Sequence, residues 1–296
     1  MSMSAIDDTG RREAFNRLLG ELRPKLHRYC ARMAGSVIDG EDIVQESIIK
    51  ALEAFPGSGF IENPESWLFR IAHNTALDFL RRRTRLDATS STEDPDMVAD
   101  PVTPTDDRTI TAANLRTFMR LPVAQRSSVI LMDVLGYSLA EIGGIMDSSI
   151  PALKAALHRG RARLREFAHE PDDQPLSILA EPERSLLARY IDRFNAHDFD
   201  AVRNMLADEV RLELVSQGRA NPNKYFGNYS RMPDWRFEPG FVDGRPAALL
   251  LDTTSPSTPA VSFVLLEWSD SAVVRIRDFY HARYAIEGAD IRIMSR

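Results

Sequence analysis

The sequence predicts a multidomain protein in which two all-α domains are followed by an α+β domain. Its 296 residues exceed what a single hydrophobic core usually serves. Apolar residues recur at helical spacing through about residue 168, whereas most of the chain beyond residue 182 has strand-like patterning. Two polar, proline-containing stretches, 87–108 and 170–181, separate these blocks and are predicted to be flexible linkers.

The first domain, residues 1–86, contains three predicted helices. The first helix should kink or break near Pro24. Asp39 opens the second helix, because acidic residues favour the first turn. The third helix begins with Asn63 as its N-cap and Pro64 as its first helical residue.

The second domain, residues 109–169, has the outline of a helix-turn-helix. A short helix in "YSLAEIGGIM" is followed by a turn at "DSS" and by a second helix in "IPALKAALHRGRARLREF". The second helix ends in a run of basic residues. This arrangement predicts a DNA-binding module.

The third domain, residues 182–296, should begin with amphipathic helices and continue as an antiparallel sheet. Its strand-like segments include "YFGNY", "WRFEPGFV", "AVSFVLLEW" and "AVVRIRDFYHARY". "SDS" supplies a hairpin turn between the last two segments. A helical start followed by a sheet predicts an α+β fold.

The composition excludes several function classes. A net charge of −6 argues against indiscriminate nucleic-acid binding, although basic residues cluster at 81–85 and 158–165. Cys30 is the only cysteine, which excludes an internal disulfide and a thiolate metal cluster. No phosphate-binding loop, metal-spaced histidine pair or nucleophile elbow occurs, so we expect no cofactor, no metal and no enzymatic activity. Without a signal pattern or an apolar run of about 20 residues, a cytoplasmic location without membrane contact is expected.

Four segments carry a family resemblance: "DGEDIVQESIIKALEAF", "NPESWLFRIAHNTALDFLRRRTR", "LPVAQRSSVILMDVLGYSLAEIGGIM" and "ALKAALHRGRARL". In this order and spacing they resemble the extracytoplasmic-function sigma factors of bacterial RNA polymerase. The resemblance implies that the first domain binds core polymerase and opens the minus-ten promoter element, while the second reads the minus-thirty-five element. Core polymerase and promoter DNA are therefore the expected partners.

Two sets of candidate residues in the first domain follow from the resemblance. A polar stripe on the second helix would dock on the coiled coil of the polymerase's largest subunit, although its pattern alone is that of a solvated face. This stripe consists of Glu41, Asp42, Gln45, Glu46 and Lys50. The third helix and the preceding loop would hold the unstacked minus-ten strand. The candidates there are Trp67, Asn74, Asp78, Arg81, Arg82 and Arg85, of which Trp67 is either a stacking platform or a core residue.

The candidates for minus-thirty-five binding lie on the second helix of the helix-turn-helix and would mostly meet phosphates. They are Lys154, His158, Arg159, Arg161 and Arg163. The front of this helix departs from the family's commonest pattern, with Pro151, Ala152, Ala155 and Ala156 where Gly, Thr, Ser and Arg are usual. Alanine offers only apolar contact, so we expect greater dependence on the minus-ten element or on DNA shape.

The third domain resembles SnoaL-like domains, the cone-shaped α+β fold also seen in ketosteroid isomerase. The matching segments are "RYIDRFNAHDFDAVRNMLADEVRLEL" and "VVRIRDFYHARYA". The resemblance implies a regulatory extension that contacts the sigma domains of its own chain, with Asp234, Asp278, His281 and Tyr284 as candidates for a pocket. A docking surface, a ligand pocket and catalysis are the three alternatives for these residues.

Two other functions remain open. The chain could be a ligand-sensing helix-turn-helix regulator, but that function leaves "DGEDIVQES" unexplained. It could also be an isomerase or cyclase-type enzyme fused to a DNA-binding module, which would require turnover dependent on His281.

Overall fold

A computed structural model describes residues 3–86, 114–167, 179–231, 234–254 and 260–294. The chain divides into two units, residues 1–172 and 173–296. The predicted linker at 87–108 lies outside the described residues, as does most of the second linker.

The first unit is helical throughout its described residues. Its helices are α1 (Met3–Ala34), α2 (Val37–Ala54), α3 (Pro64–Leu86), α4 (Leu115–Met119), α5 (Val123–Val129), α6 (Leu139–Met146) and α7 (Ile150–Phe167). A 3-10 turn, Phe55–Gly57, follows α2, and a π-helical turn, Ile130–Val134, continues α5. The helices α6 and α7 form the predicted helix-turn-helix.

Side-chain caps determine where these helices begin. Ser36 accepts hydrogen bonds from the backbone amides two and three positions on, so α2 begins at Val37 rather than at the predicted Asp39. Asn63 accepts from the backbone amide of Ser66 at 2.9 Å and caps α3, as predicted.

The sequence predicts a kink or a break near Pro24. A break is wrong, because α1 runs through this residue. A proline inside a helix costs about 3 kcal/mol. Pro24 is exposed, while Leu22 and Leu26 on either side of it are buried. The packing of this apolar stripe against α2 and α3 therefore offsets the lost hydrogen bond.

The two helical blocks, residues 1–86 and 114–167, share one hydrophobic core. The ring of Phe69 lies 5.9 Å from that of Tyr29 and 5.1 Å from that of Tyr137, measured between centroids. Phe69 thus connects α1 to the segment that precedes α6. Because these rings are buried together, the blocks pack as one body rather than as separate modules.

Arg126 of α5 is the polar centre of the contact between the blocks. Its side chain is 4% exposed and donates to the backbone carbonyls of Met33 at 2.6 Å and of Met119 and Leu121 at 3.0 Å. Met33 lies in the last turn of α1, where carbonyls carry partial negative charge. Burial lowers the pKa of Arg126 to about 10, so the guanidinium stays charged near neutral pH.

The second unit combines helices with a seven-stranded sheet. Its helices are α8 (Glu183–Asn195), α9 (Phe199–Arg203) and α10 (Pro222–Tyr229). Its strands are β1 (Leu206–Leu214), β2 (Gly218–Arg219), β3 (Trp235–Val242), β4 (Arg245–Asp252), β5 (Ser262–Ser269), β6 (Ala272–Asp278) and β7 (Ile291–Ile293). The α+β prediction is confirmed, and the predicted "SDS" turn connects β5 to β6.

Two predictions for this unit are wrong. The order of the sheet is β2-β1-β6-β5-β4-β3-β7, and β1 pairs with β6 in parallel, so the sheet is not purely antiparallel. "YFGNY" is part of α10 rather than a strand. Its buried residues, Tyr225, Phe226 and Tyr229, fall on one helical face, and their burial overrides the strand propensity of aromatic residues.

Candidate functional site

The polar stripe on α2 is not uniformly exposed. Glu41 is 0% exposed and forms an ion pair with Arg23 of α1. The carboxylate of Glu41 therefore links α2 to α1 and is inaccessible to a partner protein in this arrangement. The half-buried residues of the stripe, which can be reached from outside, are Asp42, Gln45, Glu46 and Lys50.

Glu46 joins the polar stripe to the basic end of α3. Its carboxylate lies 2.9 Å from the ammonium of Lys50 and 2.9 Å from the guanidinium of Arg82. Burial alone would raise the pKa of Glu46, but hydrogen bonds and charge from Lys50 and Arg82 outweigh it and lower the pKa. The two predicted surfaces are therefore adjacent.

The predicted minus-ten residues on α3 form one exposed face. Its members are Asn74, Asp78, Arg81, Arg82 and Arg85. Arg81 pairs with Asp78 at 3.3 Å, whereas Arg85 makes no ion pair within the described part of the chain. Arg83 points to the other side, where it lies 3.6 Å from Asp39.

Two aromatic residues at and before the start of α3 have different environments. Trp67 is half-buried, with its ring 6.0 Å from that of Phe15, and it packs against the core. Phe60, in the loop before α3, is 92% exposed. Phe60 was not singled out from the sequence, although its position beside Gly59, which has a φ of +60°, marks a loop tip.

The helix α7 exposes only part of the predicted minus-thirty-five set. Lys154 is exposed, while His158, Arg159 and Arg163 are half-buried. The guanidinium of Arg161 is bound to the carboxylate of Asp133 by two hydrogen bonds, one of 2.9 Å from its Nε. Of these basic residues, Lys154 is the most accessible to phosphate.

The front of α7 carries two exposed residues, Pro151 and Ala152. Because proline and alanine side chains have no donor or acceptor, neither residue can form a hydrogen bond to a base edge at the start of the helix. Ala156 is 7% exposed and belongs to the face that packs on the rest of the unit. An arginine side chain buried at this position would displace its neighbours.

A cavity of about 250 Å³ opens beside α7. We call it the α7 pocket. Its apolar lining comes from Met132, Leu139 and Leu157, and its basic lining from Lys154, His158 and Arg165, next to Arg161. Within the described residues, no carboxylate pairs with Lys154 or Arg165, whereas Arg161 is neutralised by Asp133.

Only one of the four predicted pocket residues of the second unit lies in its interior. Asp278 is 1% exposed and accepts hydrogen bonds from the hydroxyl of Tyr229 at 2.6 Å and from the backbone amide of Tyr280 at 2.8 Å. Burial raises the pKa of Asp278 despite these bonds. Asp234 and His281 are exposed, and Tyr284 is half-buried.

Sequence reasoning missed the tyrosines around Asp278. Tyr190 of α8 and Tyr225 of α10 are buried, and the hydroxyl of Tyr190 has no hydrogen-bond partner among the described residues. Charge on Asp278 acts on both hydroxyls, since it raises their pKa values after the larger effect of burial. The spacing of Tyr225 and Tyr229 on one helical face was the available signal.

The described residues contain no group of three or more His, Cys, Asp or Glu placed to hold a metal ion. None of the described helices is both long enough and apolar enough to cross a membrane.

Two protein-family models match the chain, Sigma-70 region 2 over residues 18–86 and Sigma-70, region 4 over residues 115–164. ECF RNA polymerase sigma factor SigG of Mycobacterium tuberculosis is 30% identical over 230 residues, which cover 69% of this chain and 62% of SigG. ECF RNA polymerase sigma factor SigW of Bacillus subtilis is 32% identical over 170 residues, which cover 53% of this chain and 90% of SigW. The chain thus spans less than two thirds of SigG and most of SigW.

The crystal structure of the extracytoplasmic function sigma factor SigJ of Mycobacterium tuberculosis is similar over 87% of this chain and 93% of that chain. The two are 20% identical, with a TM-score of 0.35. Both matched family models fall within the first unit of the present chain.

Proposed function

Because the chain belongs to the extracytoplasmic-function sigma factors, we propose that it binds core RNA polymerase and directs it to specific promoters. The observation that carries this proposal is the exposed face of α3, where hydrogen-bonding side chains lead to Arg85, whose guanidinium has no ion pair among the described residues. Asn74 offers an amide to a base edge, and Arg85 offers a guanidinium to phosphate. The chain performs no covalent step in this function.

Polymerase docking is assigned to the half-buried part of the α2 stripe. Asp42, Gln45, Glu46 and Lys50 present both charge signs and an amide on one helical side. Glu41 contributes by fixing α2 to α1 through Arg23. The half-buried residues of the stripe would contact the polymerase, whereas Glu41 would keep α2 in position.

Run-off transcription with purified bacterial core polymerase tests the proposed function. The chain should direct initiation from a subset of promoters that includes the DNA upstream of its own gene. A matched chain ending at Glu170 measures the effect of the second unit, which we propose to be regulatory. If neither form binds core polymerase nor directs initiation, the helical unit is a DNA-binding module of another kind.

Arg85→Gln should weaken binding of the minus-ten non-template strand, and its effect should diminish as salt is added. Loss of one phosphate contact lowers the slope of log affinity against log salt by about 0.7 for single strands. The measurement is fluorescence anisotropy of a labelled oligonucleotide with the chain bound to core polymerase.

Arg83→Gln is the matched control, because Arg83 contacts Asp39 and the carbonyl of Ala34 rather than the exposed face. This variant should keep the salt slope of the unmodified chain. Equal slopes for Arg85→Gln and the unmodified chain would show that Arg85 meets no phosphate.

A further inference from the structure

We infer that an acidic segment of this chain, Glu93–Asp100, occupies the α7 pocket and covers the basic residues that would meet promoter DNA. The effect on promoter binding rests on the proposed function, whereas the contact between the segment and the α7 pocket does not. The pocket combines an apolar floor with a basic rim, and phosphate alone would leave the floor empty. Its occupant should therefore carry apolar side chains between carboxylates.

The sequence between the two helical blocks contains such a segment. Residues 87–108 hold seven Asp or Glu residues and one Arg, a net charge of −6 that equals the net charge of the whole chain. Within this stretch, "EDPDMVAD" places Met97 and Val98 next to each other, with Asp96 before them and Asp100 shortly after. Two aliphatic side chains flanked by carboxylates complement the floor and the rim of the pocket.

The lengths of chain on either side permit this contact. Met97 is 11 residues from Leu86 and 18 from Leu115, which correspond to about 38 and 62 Å of extended chain. A helical unit of this size is about 40 Å across. The downstream end of the connecting stretch is near α7, since the guanidinium of Arg120, just after α4, lies 3.7 Å from the ring centroid of Phe167.

The occupied pocket would lower the affinity of the second block for DNA. Lys154 is the most accessible basic residue of the predicted minus-thirty-five set, and it also lines the pocket with His158. Carboxylates at these positions neutralise charge that phosphate would otherwise use. The segment therefore competes with the minus-thirty-five element for one surface.

Photo-crosslinking of the full chain tests the contact directly. Val98→p-benzoylphenylalanine should crosslink within the same molecule to peptides of α7 or of the 130–139 segment, as identified by mass spectrometry. Thr105→p-benzoylphenylalanine lies in the same stretch but outside the acidic motif and is the matched control. Crosslinks that are absent, that join two copies of the chain, or that have the same distribution from both positions would overturn the inference.

Duplex binding measures the consequence in the same full chain. Two variants, Asp94→Asn/Asp96→Asn/Asp100→Asn and Met97→Ser/Val98→Ser, should each raise affinity for a minus-thirty-five duplex about fivefold. Asp87→Asn/Asp106→Asn/Asp107→Asn removes the same charge outside the motif and should change the affinity for the duplex by less than about twofold. Equal gains from both charge variants would mean general repulsion of DNA and overturn the competition. If the crosslink forms but no variant binds the duplex, the contact stands and the proposed minus-thirty-five function fails.

Discussion

Oxidation of a Gly35→Cys/Met119→Cys variant should reduce promoter-specific transcription by more than about tenfold, and dithiothreitol should restore it. The disulfide would hold the two helical blocks in the packed arrangement that Arg126 and the shared core create. The measurement is run-off transcription with core polymerase before and after reduction.

The reason for this effect is the distance between the promoter elements. At a rise of about 3.4 Å per base pair, the minus-ten and minus-thirty-five centres lie about 85 Å apart on straight duplex. The first unit, with both predicted DNA-binding faces, is about 40 Å across. Under the proposed function, the blocks must therefore separate to reach both elements. The 29 residue steps from Leu86 to Leu115 allow up to about 100 Å of extended chain between them.

The geometry suits a disulfide at this position. A Cβ built on Gly35 lies 3.7 Å from the Cβ of Met119, close to the mean of about 3.8 Å for bridged cysteines. Replacing Met119 also removes its Cγ, which would clash with the new Cβ. The native Cys30 is buried, and burial raises the pKa of its thiol, so it should not compete.

Gly35→Ser/Met119→Cys is the matched control, because it has nearly the same volume but cannot form the bridge. Gly35 has a φ of +75°, so both variants carry the same backbone strain. The control should transcribe equally before and after reduction. Full transcription by a chain shown to be crosslinked would mean that the blocks act without separating.

Arg126→Met should lower the free energy of unfolding of the first unit by about 3 kcal/mol. The substitution keeps the length of the side chain but leaves the carbonyls of Met33, Met119 and Leu121 without their donor in a buried place. Unsatisfied buried acceptors cost about 1–3 kcal/mol each, and part of this cost is relieved when water enters. The loss should exceed that of most single surface substitutions.

The measurement is urea unfolding followed by the fluorescence of Trp67, in a chain that carries Trp235→Phe and Trp268→Phe. The protein has three tryptophans, and these changes leave one reporter in the first unit. Arg116→Met, at an exposed position on the neighbouring α4, should change the free energy of unfolding by less than about 0.5 kcal/mol. A loss below about 1 kcal/mol for Arg126→Met would mean that its hydrogen bonds are not needed for stability.

Local patterns in the sequence predicted much of the helical unit. The cap at Asn63, the helix-turn-helix and the exposed face of α3 all depend on residues within a few positions of each other. Arg126 was not singled out from the sequence. Its partners, Met33 among them, lie up to 93 residues away, so no periodicity could identify it. The same limit applies to Glu41, whose partner Arg23 belongs to another helix.

In the second unit, side-chain burial explains features that secondary-structure propensity did not predict. Asp278 was a candidate through the resemblance to SnoaL-like domains, and the structure places its side chain in the interior of the unit. The tyrosines that surround it come from α8 and α10, which are separated in sequence from each other and from β6. The parallel pairing of β1 with β6 likewise joins distant segments, and hairpin signals do not extend that far.

The position of Glu46 between Lys50 and Arg82 has a consequence for genetics. Under the proposed function, a change confined to the α2 stripe would impair assembly with polymerase, and a change confined to the exposed face of α3 would impair promoter opening. A Glu46→Ala allele would release Lys50 and Arg82 together and disturb both surfaces at once. Substitutions that suppress Glu46→Ala should arise both near Lys50 on α2 and near Arg82 on α3. The assembly defect and the promoter-opening defect should therefore overlap at Glu46.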